Sequence, residues 1–320
     1  MTKIGIIGCG NISKFHIPAL KKVGFSIVGI SGREGSENKL KKFSKENYIE
    51  NSKIFLSSIE LIHSNIWDAL LICCPTESSL EYLTIASKYK KPILAEKPIT
   101  YKSDELFPLL EFDNIKVAFN RRFYDSVKMA KKFYDENKIS LIKVSIPEKN
   151  NEIIDIKKFP ISIYENSIHL FDLLNFITDK CNFHYCESLI YQKEYKTIIA
   201  TGTGKKGCLI QLDICFNSSD NFSIDIISET KRIKLSPIEI ARFYDGIEIV
   251  DPVGISIRRY NPIMQKEVIT LDANKLKLGF YEQALDFNMF CRGEKNKGAS
   301  IIDAYNNLKS IEQLVKLQRN

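Results

Sequence analysis

The chain has 320 residues, 44% of them hydrophobic and 27% charged, the balance of a globular protein long enough for two cores. Its 46 lysines and arginines against 39 acids leave a formal charge of +7, and the basic residues are scattered, the longest local clusters being pairs such as Lys41-Lys42 and Lys131-Lys132. That scatter argues against a nucleic-acid stripe, and no apolar run approaches the roughly 20 residues that a bilayer span requires.

Eight cysteines are spread along the chain, and Cys9, Cys73, Cys74, Cys208 and Cys215 sit inside apolar runs. They read as small buried hydrophobes of a reducing compartment. The opening residues show no charged-then-apolar leader, so a cytoplasmic location is expected. Cys181 and Cys186 flank His184, but no second pair completes four ligands, and no metal is expected.

Over residues 1–120 short apolar runs alternate with helical patterns, the rhythm of a parallel sheet in an α/β fold. Strands are predicted at 3–7, 26–31, 69–73, 92–95 and 116–119, with helices near 14–23, 37–45, 78–89 and 103–112. The continuous apolar character of IGIIG and ALLICC suits strands covered on both faces. After residue 120 the rhythm changes. A helix is predicted at 125–136, a strand at 139–147 and a second helix at 163–177. ESLIYQ, KTIIATGTG, GCLIQLDICF, FSIDIIS and RIKLSP then follow as strands with few helical interruptions. Helices near 281–292 and 301–319 close the chain. The expectation is an α/β protein: a doubly wound parallel sheet over 1–120, then an α+β domain over 121–320 with a mainly antiparallel, open sheet and C-terminal helices.

Gly8 and Gly10, with Asn11 and Ile12 after them, lie between the first strand and the first helix. Glycine at 8 permits a tight turn, and glycine at 10 lets a pyrophosphate approach the backbone at a helix N-terminus. The third glycine of the usual fingerprint is Ser13. The alternative is a purely structural strand-to-helix turn. At the tip of the second strand stand Ser31 and Arg33 instead of a ribose-binding acid, which tilts the cofactor from NAD(H) toward NADP(H). Glu34 is the alternative ribose partner.

KPILAEKPIT sets Glu96, Lys97 and Pro98 at the carboxyl end of a buried strand, the edge where open α/β sheets bind ligands. A desolvated lysine there suits proton transfer or polarisation of a substrate oxygen. Together, GIIGCGNIS, LICCPTESSLEYLTIASKYKKPILAEKP and VAFNRRFYDS resemble the Gfo/Idh/MocA oxidoreductases. The resemblance implies a Rossmann domain followed by an antiparallel-sheet domain, a catalytic role for Lys97 beside the nicotinamide, and a cofactor-lining role for Cys74, Pro75 and Thr76. It also implies a homodimer or homotetramer formed through the exposed sheet face. A histidine that members often carry beyond that proline is Ser79 here.

IYENSIHLFDLL holds Glu165, His169 and Asp172 at spacings that share one face of an α-helix. His169 could take a hydroxyl proton, with Glu165 orienting the imidazole or holding a neighbouring hydroxyl, and Tyr164 is a further substrate-contact candidate. Family members commonly carry D-x-G-x-H on this helix, so His169 matches, while Glu165 and Ser167 depart from the pattern. The glycine-rich stretch that often precedes it is replaced by DIKKFPISIY. Of Arg121 and Arg122, one is expected to reach phosphates or an anionic substrate and the other to lie on the surface.

The expected activity is hydride transfer between NAD(P) and a carbohydrate hydroxyl or ketone, with a nucleotide-linked sugar for a surface polysaccharide preferred as substrate. The alternative is a catalytically silent nucleotide-binding sensor on the same fold. An ammonium from Lys97 and an imidazole from His169 meeting at one reacting carbon is the spatial condition of the enzymatic reading.

Overall fold

The computed structural model describes residues 1–149, 159–251, 253–254 and 256–318. Its chain order is β1 (Lys3–Ile7), α1 (Ser13–Lys22), β2 (Ser26–Ser31), α2 (Glu37–Glu46), β3 (Lys53–Phe55), α3 (Ser58–Ser64), β4 (Ala69–Ile72), α4 (Thr76–Ser87), β5 (Ile93–Ala95) and β6 (Ile115–Val117). There follow α5 (Asp125–Glu136), β7 (Leu141–Glu148), a π-helical turn (Ile163–Ser167), α6 (Ile168–Thr178), β8 (Cys181–Tyr191), β9 (Glu194–Gly204) and β10 (Leu209–Phe216). The last elements are β11 (Ser223–Ile227), β12 (Lys231–Leu235), β13 (Ile240–Val250), β14 (Arg259–Ile269), α7 (Phe280–Cys291), β15 (Ala299–Ser300) and α8 (Ile301–Leu317).

The chain divides into two compact units: Met1–Phe123 with Leu271–Leu308, and Tyr124–Thr270 with Lys309–Asn320. The sequence expectation had one boundary at 120 and left every later residue in the second domain. Segment 271–308 instead belongs to the first unit, and the cause is apolar burial. Phe280, Ala284 and Phe287 of α7 join Ile17, Leu20 and Phe25 in one core cluster, with Phe25 and Phe287 stacked at 5.8 Å between ring centroids. Each of the phenylalanine, leucine and isoleucine side chains withdrawn from water stabilises by roughly 1.5–3 kcal/mol.

The first unit is built on a seven-stranded sheet in the order β15-β6-β5-β4-β1-β2-β3, parallel except for the β15–β6 pair. The ladder β6-β5-β4-β1-β2-β3 is the doubly wound order that reverses at β1. Ile4, Ile6 and Ile7 of β1 and Leu70, Leu71 and Ile72 of β4 are fully buried, as strands covered on both faces must be. Three elements escaped the sequence reading, the two-residue strand β15 among them. β3 has only three residues, too few to show a period. α3 is announced by a capping box: Ser57 accepts the Glu60 N–H at 3.5 Å. The helix expected at 103–112 is a 3-10 segment, Asp104–Leu109, with Pro108 inside it removing a backbone donor.

The second unit carries an eight-stranded sheet in the order β14-β13-β12-β11-β7-β10-β9-β8. β7 and β10 pair in parallel, and every other neighbour is antiparallel. Alternation sorts the faces. In β10, Ile210, Leu212 and Ile214 are buried while Leu209 is exposed; in β9, Ile198 and Ala200 are buried while Ile199 is exposed. The long β13–β14 hairpin was not anticipated. Gly246 and Pro262 interrupt its pattern, and Pro262 is tolerated because β14 is an edge strand.

Candidate functional site

In the first unit the chain leaves β1 at Ile7 and turns on Gly8, whose φ is +92°. A Cβ at this position would lie 2.6 Å from the Cys73 carbonyl and the Cys74 nitrogen, so only glycine lets the loop cross the end of β4. The Gly8 N–H donates to the Ser31 carbonyl at 3.0 Å, closing the turn against β2. Gly10 differs. No atom lies within 4 Å of where its Cβ would be, and its open side faces a cleft of about 580 Å³.

That cleft is lined by Gly8 to Ile12, by Gly32 to Ser36 with Lys39, by Ser58, by Cys73 to Pro75, and by Ser78 and Tyr82. It lies at the carboxyl ends of β1, β2 and β4, beside the point where strand order reverses. Helix α1 opens into it with Ile12 at the N-cap, no side-chain cap and no acid in the first turn. Its first N–H groups and dipole are thereby left for an anion. The Ser13 hydroxyl, where a third glycine was sought, donates to the Gly10 carbonyl at 2.7 Å and fastens the loop. Cleft volume, an unfilled glycine and an uncapped helix start together fit a dinucleotide.

Of the sequence candidates, Gly8, Gly10, Asn11, Ile12, Arg33, Cys74 and Pro75 line the cleft, whereas Ser31, Thr76, Glu96 and Lys97 do not. Ser31 is fully buried and gives its hydroxyl hydrogen to Ser58 at 3.1 Å, so Ser58 presents the polar group that Ser31 was expected to supply. Arg33 and Lys39 are both exposed on the cleft's rim. Lys39 was missed because it belongs to the first turn of α2, and a basic residue one helical turn past a Gly-x-x-Gly loop was its only signal. Burial pushes the Cys9 thiol up to about 12 and the Cys74 thiol up to about 11, so these groups are protonated linings and not nucleophiles.

Lys97 follows β5, which pairs directly with β4, so it leaves the same carboxyl edge of the sheet one strand away from Cys74. The Glu96 N–H donates to the Ile72 carbonyl at 2.7 Å, continuing that pairing to the base of the Lys97 loop. Further along, Arg122 is buried and ion-paired with Asp303 at 3.2 Å. Arg121 is half-buried, so neither arginine is the surface residue that the sequence led us to expect. Burial alone would raise the Asp303 carboxyl, but the Arg122 guanidinium and the Ser300 donors outweigh it and hold the group below its ordinary range.

In the second unit the E-N-S-I-H stretch is not one regular α-helix. Residues Ile163–Ser167 form a π-helical turn, and α6 begins at Ile168. Hydrogen bonding from i to i+5 widens that turn relative to α6, and residues along the stretch differ in burial. Glu165 is exposed, whereas His169 is 9% and Asp172 1% exposed. Tyr164 is buried in the same turn. Ser167, the departure from the expected glycine, gives its hydroxyl hydrogen to Glu148 Oε2 at 2.6 Å, and Asn166 Nδ2 donates to the same oxygen at 3.3 Å. Glu148 ends β7, is 4% exposed and also accepts the Lys149 N–H at 3.0 Å. This carboxylate anchors the turn that carries Glu165 and precedes His169. No spacing in the sequence pointed to it. Residues 155–158 of the DIKKFPISIY stretch lie outside the described residues.

Residues 2–114 match the model of the Gfo/Idh/MocA oxidoreductases, a family with an NAD-binding Rossmann fold. Among curated proteins, the uncharacterized oxidoreductase YrbE of Bacillus subtilis is 29% identical over 183 residues, covering 54% of this chain and 52% of that protein. Myo-inositol 2-dehydrogenase of Thermotoga maritima is 25% identical over 185 residues, covering 55% and 54%. The chain thus spans about half the length of these curated relatives. Among solved structures, levoglucosan dehydrogenase in complex with NADH and L-sorbose superposes with a TM-score of 0.79 at 13% identity, covering 99% of this chain and 96% of that one, a likeness of fold.

Proposed function

We propose that this chain, whose residues 2–114 match the Gfo/Idh/MocA oxidoreductase model, is a member of that family and transfers a hydride between a nicotinamide dinucleotide and a hydroxyl-bearing carbon of a carbohydrate or its ketone. The observation that carries the reading is the uncapped start of α1 beside Gly10, opening on a cleft at the carboxyl edge of the sheet. The loop from Gly8 to Ile12 would hold the pyrophosphate, and Cys74 and Pro75 would line the path of the cofactor. The nicotinamide, when bound, supplies the hydride acceptor for oxidation and the donor for reduction. Lys97 Nζ donates a hydrogen bond to the substrate oxygen and stabilises negative charge there. The His169 imidazole takes the hydroxyl proton and returns it in the reverse direction. Glu165, exposed in the π turn, holds a neighbouring substrate hydroxyl, and Tyr164, buried in the same turn, is a further candidate for substrate contact.

Arg33 and Lys39 bring two cations to the rim where the adenosine ribose would lie, against the single acid Glu34. That balance favours a 2′-phosphate, so we assign NADP(H) ahead of NAD(H). The substrate class is polyhydroxylated: a sugar, a cyclic polyol or a nucleotide-linked sugar, the last in keeping with a role in surface polysaccharide synthesis. The exposed side of the second unit's sheet, with Ile199, Leu209 and Tyr185 outward, suits a homodimer or homotetramer. Eight free thiols suit the cytoplasm. Among the described residues no helix is long and apolar enough to cross a membrane.

The test is a fluorescence titration with NADPH and NADH, followed by absorbance at the nicotinamide band with a panel of inositols, hexoses, sugar phosphates and nucleotide sugars. Lys97→Ala and His169→Ala should each lose about two to four orders of magnitude in kcat. Their cofactor affinity should stay within about five-fold of wild type, under 1 kcal/mol. Full turnover in Lys97→Ala overturns the assignment, and tight nucleotide binding with no turnover across the panel replaces it with a sensor.

A further inference from the structure

His16 lies in the middle of α1 and is 1% exposed. Its Nε2 meets Glu96 Oε1 at 2.7 Å, a contact between residues 80 positions apart. The other oxygen of the same carboxylate, Oε2, accepts the Lys97 N–H at 3.2 Å. The Phe280 ring closes on the imidazole edge-on, with centroids 4.8 Å apart, and Phe280 is itself part of the core. The imidazole is therefore fixed by packing, the carboxylate by the imidazole, and the Lys97 backbone by the carboxylate.

Stability alone gives little reason for this arrangement. A buried imidazole–carboxylate pair is costly to desolvate, and apolar residues of similar volume often serve a core as well or better. What the pair supplies is geometry, because both oxygens of Glu96 are engaged and the loop after β5 loses its freedom to swing. A displacement of about 1 Å in a reacting group can cost on the order of 100-fold in rate. The same helix opens with the uncapped N-terminus at the cleft, so one rigid element serves the phosphate end and the lysine loop together.

We propose that His16 is a positioning residue for Lys97, acting through Glu96 to tie helix α1 to the loop that carries the lysine. This rests on the reading of Lys97 as the group that works on the substrate oxygen, and the test separates the two. Lysines are reductively methylated with ¹³C, and the Lys97 resonance is assigned by its loss in Lys97→Arg. His16→Leu cuts the tether, and His16→Gln keeps a side-chain donor of similar reach. Should His16→Leu fail to fold by thermal melting, Glu96→Met cuts the tether from the other end.

The severed variant should move the Lys97 resonance and its titration midpoint, while His16→Gln stays near wild type. Its kcat should fall about 10- to 100-fold with KM changed less, and its NADPH affinity should hold within about three-fold, since neither His16 nor Glu96 lines the cleft. An unmoved Lys97 resonance in a folded, severed variant overturns the inference. If the wild-type protein turns over no substrate, the dehydrogenase reading fails, and the resonance still decides whether His16 positions the lysine.

Discussion

Replacing Gly10 with alanine separates the binding role of the glycine loop from its structural role. The new methyl meets no atom within 4 Å, so folding stability should change by no more than about 0.5 kcal/mol. The methyl does project where a pyrophosphate would approach the backbone, and one or two charge-assisted hydrogen bonds should be lost. At about 1.5–3 kcal/mol for each bond, NADPH affinity should drop roughly 10- to 150-fold per bond. Gly8→Ala should behave in the opposite sense. Its methyl is driven to 2.6 Å from the backbone of Cys73 and Cys74 at a φ of +92°. The left-handed conformation costs about 1–2 kcal/mol and the overpacking about 1–3 more, giving a loss of roughly 2–5 kcal/mol. Thermal melting and fluorescence titration of both variants decide the matter. A Gly10→Ala protein that binds NADPH within about two-fold of wild type refutes the phosphate cradle, because that ratio is under 0.5 kcal/mol.

Three further outcomes are expected. Arg33→Ala combined with Lys39→Ala should weaken NADPH about 10-fold or more while leaving NADH within a few-fold, since each cation offers a charge-assisted bond only to the 2′-phosphate; equal losses for both cofactors would dismiss the preference. Glu148→Gln should keep the fold yet lower kcat about 10-fold, by loosening the π turn before His169, and Ser167→Ala should show the same trend; circular dichroism with steady-state kinetics is the measurement. Arg122→Gln should lower the melting temperature by several degrees, corresponding to about 1–2 kcal/mol after discounting for the partly exposed Asp303. The Asp303 carboxyl is held below 3.8 in the folded state, so the pair's contribution is complete above that value and is lost as pH falls through the folded pKa. The wild-type and variant melting curves should therefore begin to approach each other only as pH falls below 3.8 and converge once the folded carboxyl is protonated; a difference that does not shrink with falling pH there places the effect elsewhere.

Local pattern alone determined the parts of this protein whose signal is carried by neighbours in the chain. Continuous apolar runs named β1 and β4, strict alternation named β10, and a glycine pair between strand and helix named the cleft at the switch of strand order. E-K-P and the E-N-S-I-H stretch marked Lys97 and His169 as candidates without assigning either a partner. Other features arise only where distant segments meet. The return of α7 to the first core depends on Phe280 and Phe287 finding Phe25 and Ile17 more than 250 positions away. Ser31 looked like a cofactor ligand until its hydroxyl was found spent on Ser58. The π turn that carries Glu165 and leads into His169 is held by Glu148, a carboxylate that no helical period connects to it. His16 and Glu96 are likewise joined across 80 residues. Hydrophobic periodicity and turn chemistry are short-range and survive in one dimension, whereas the partner of a buried polar group is chosen by packing, which exists only in three.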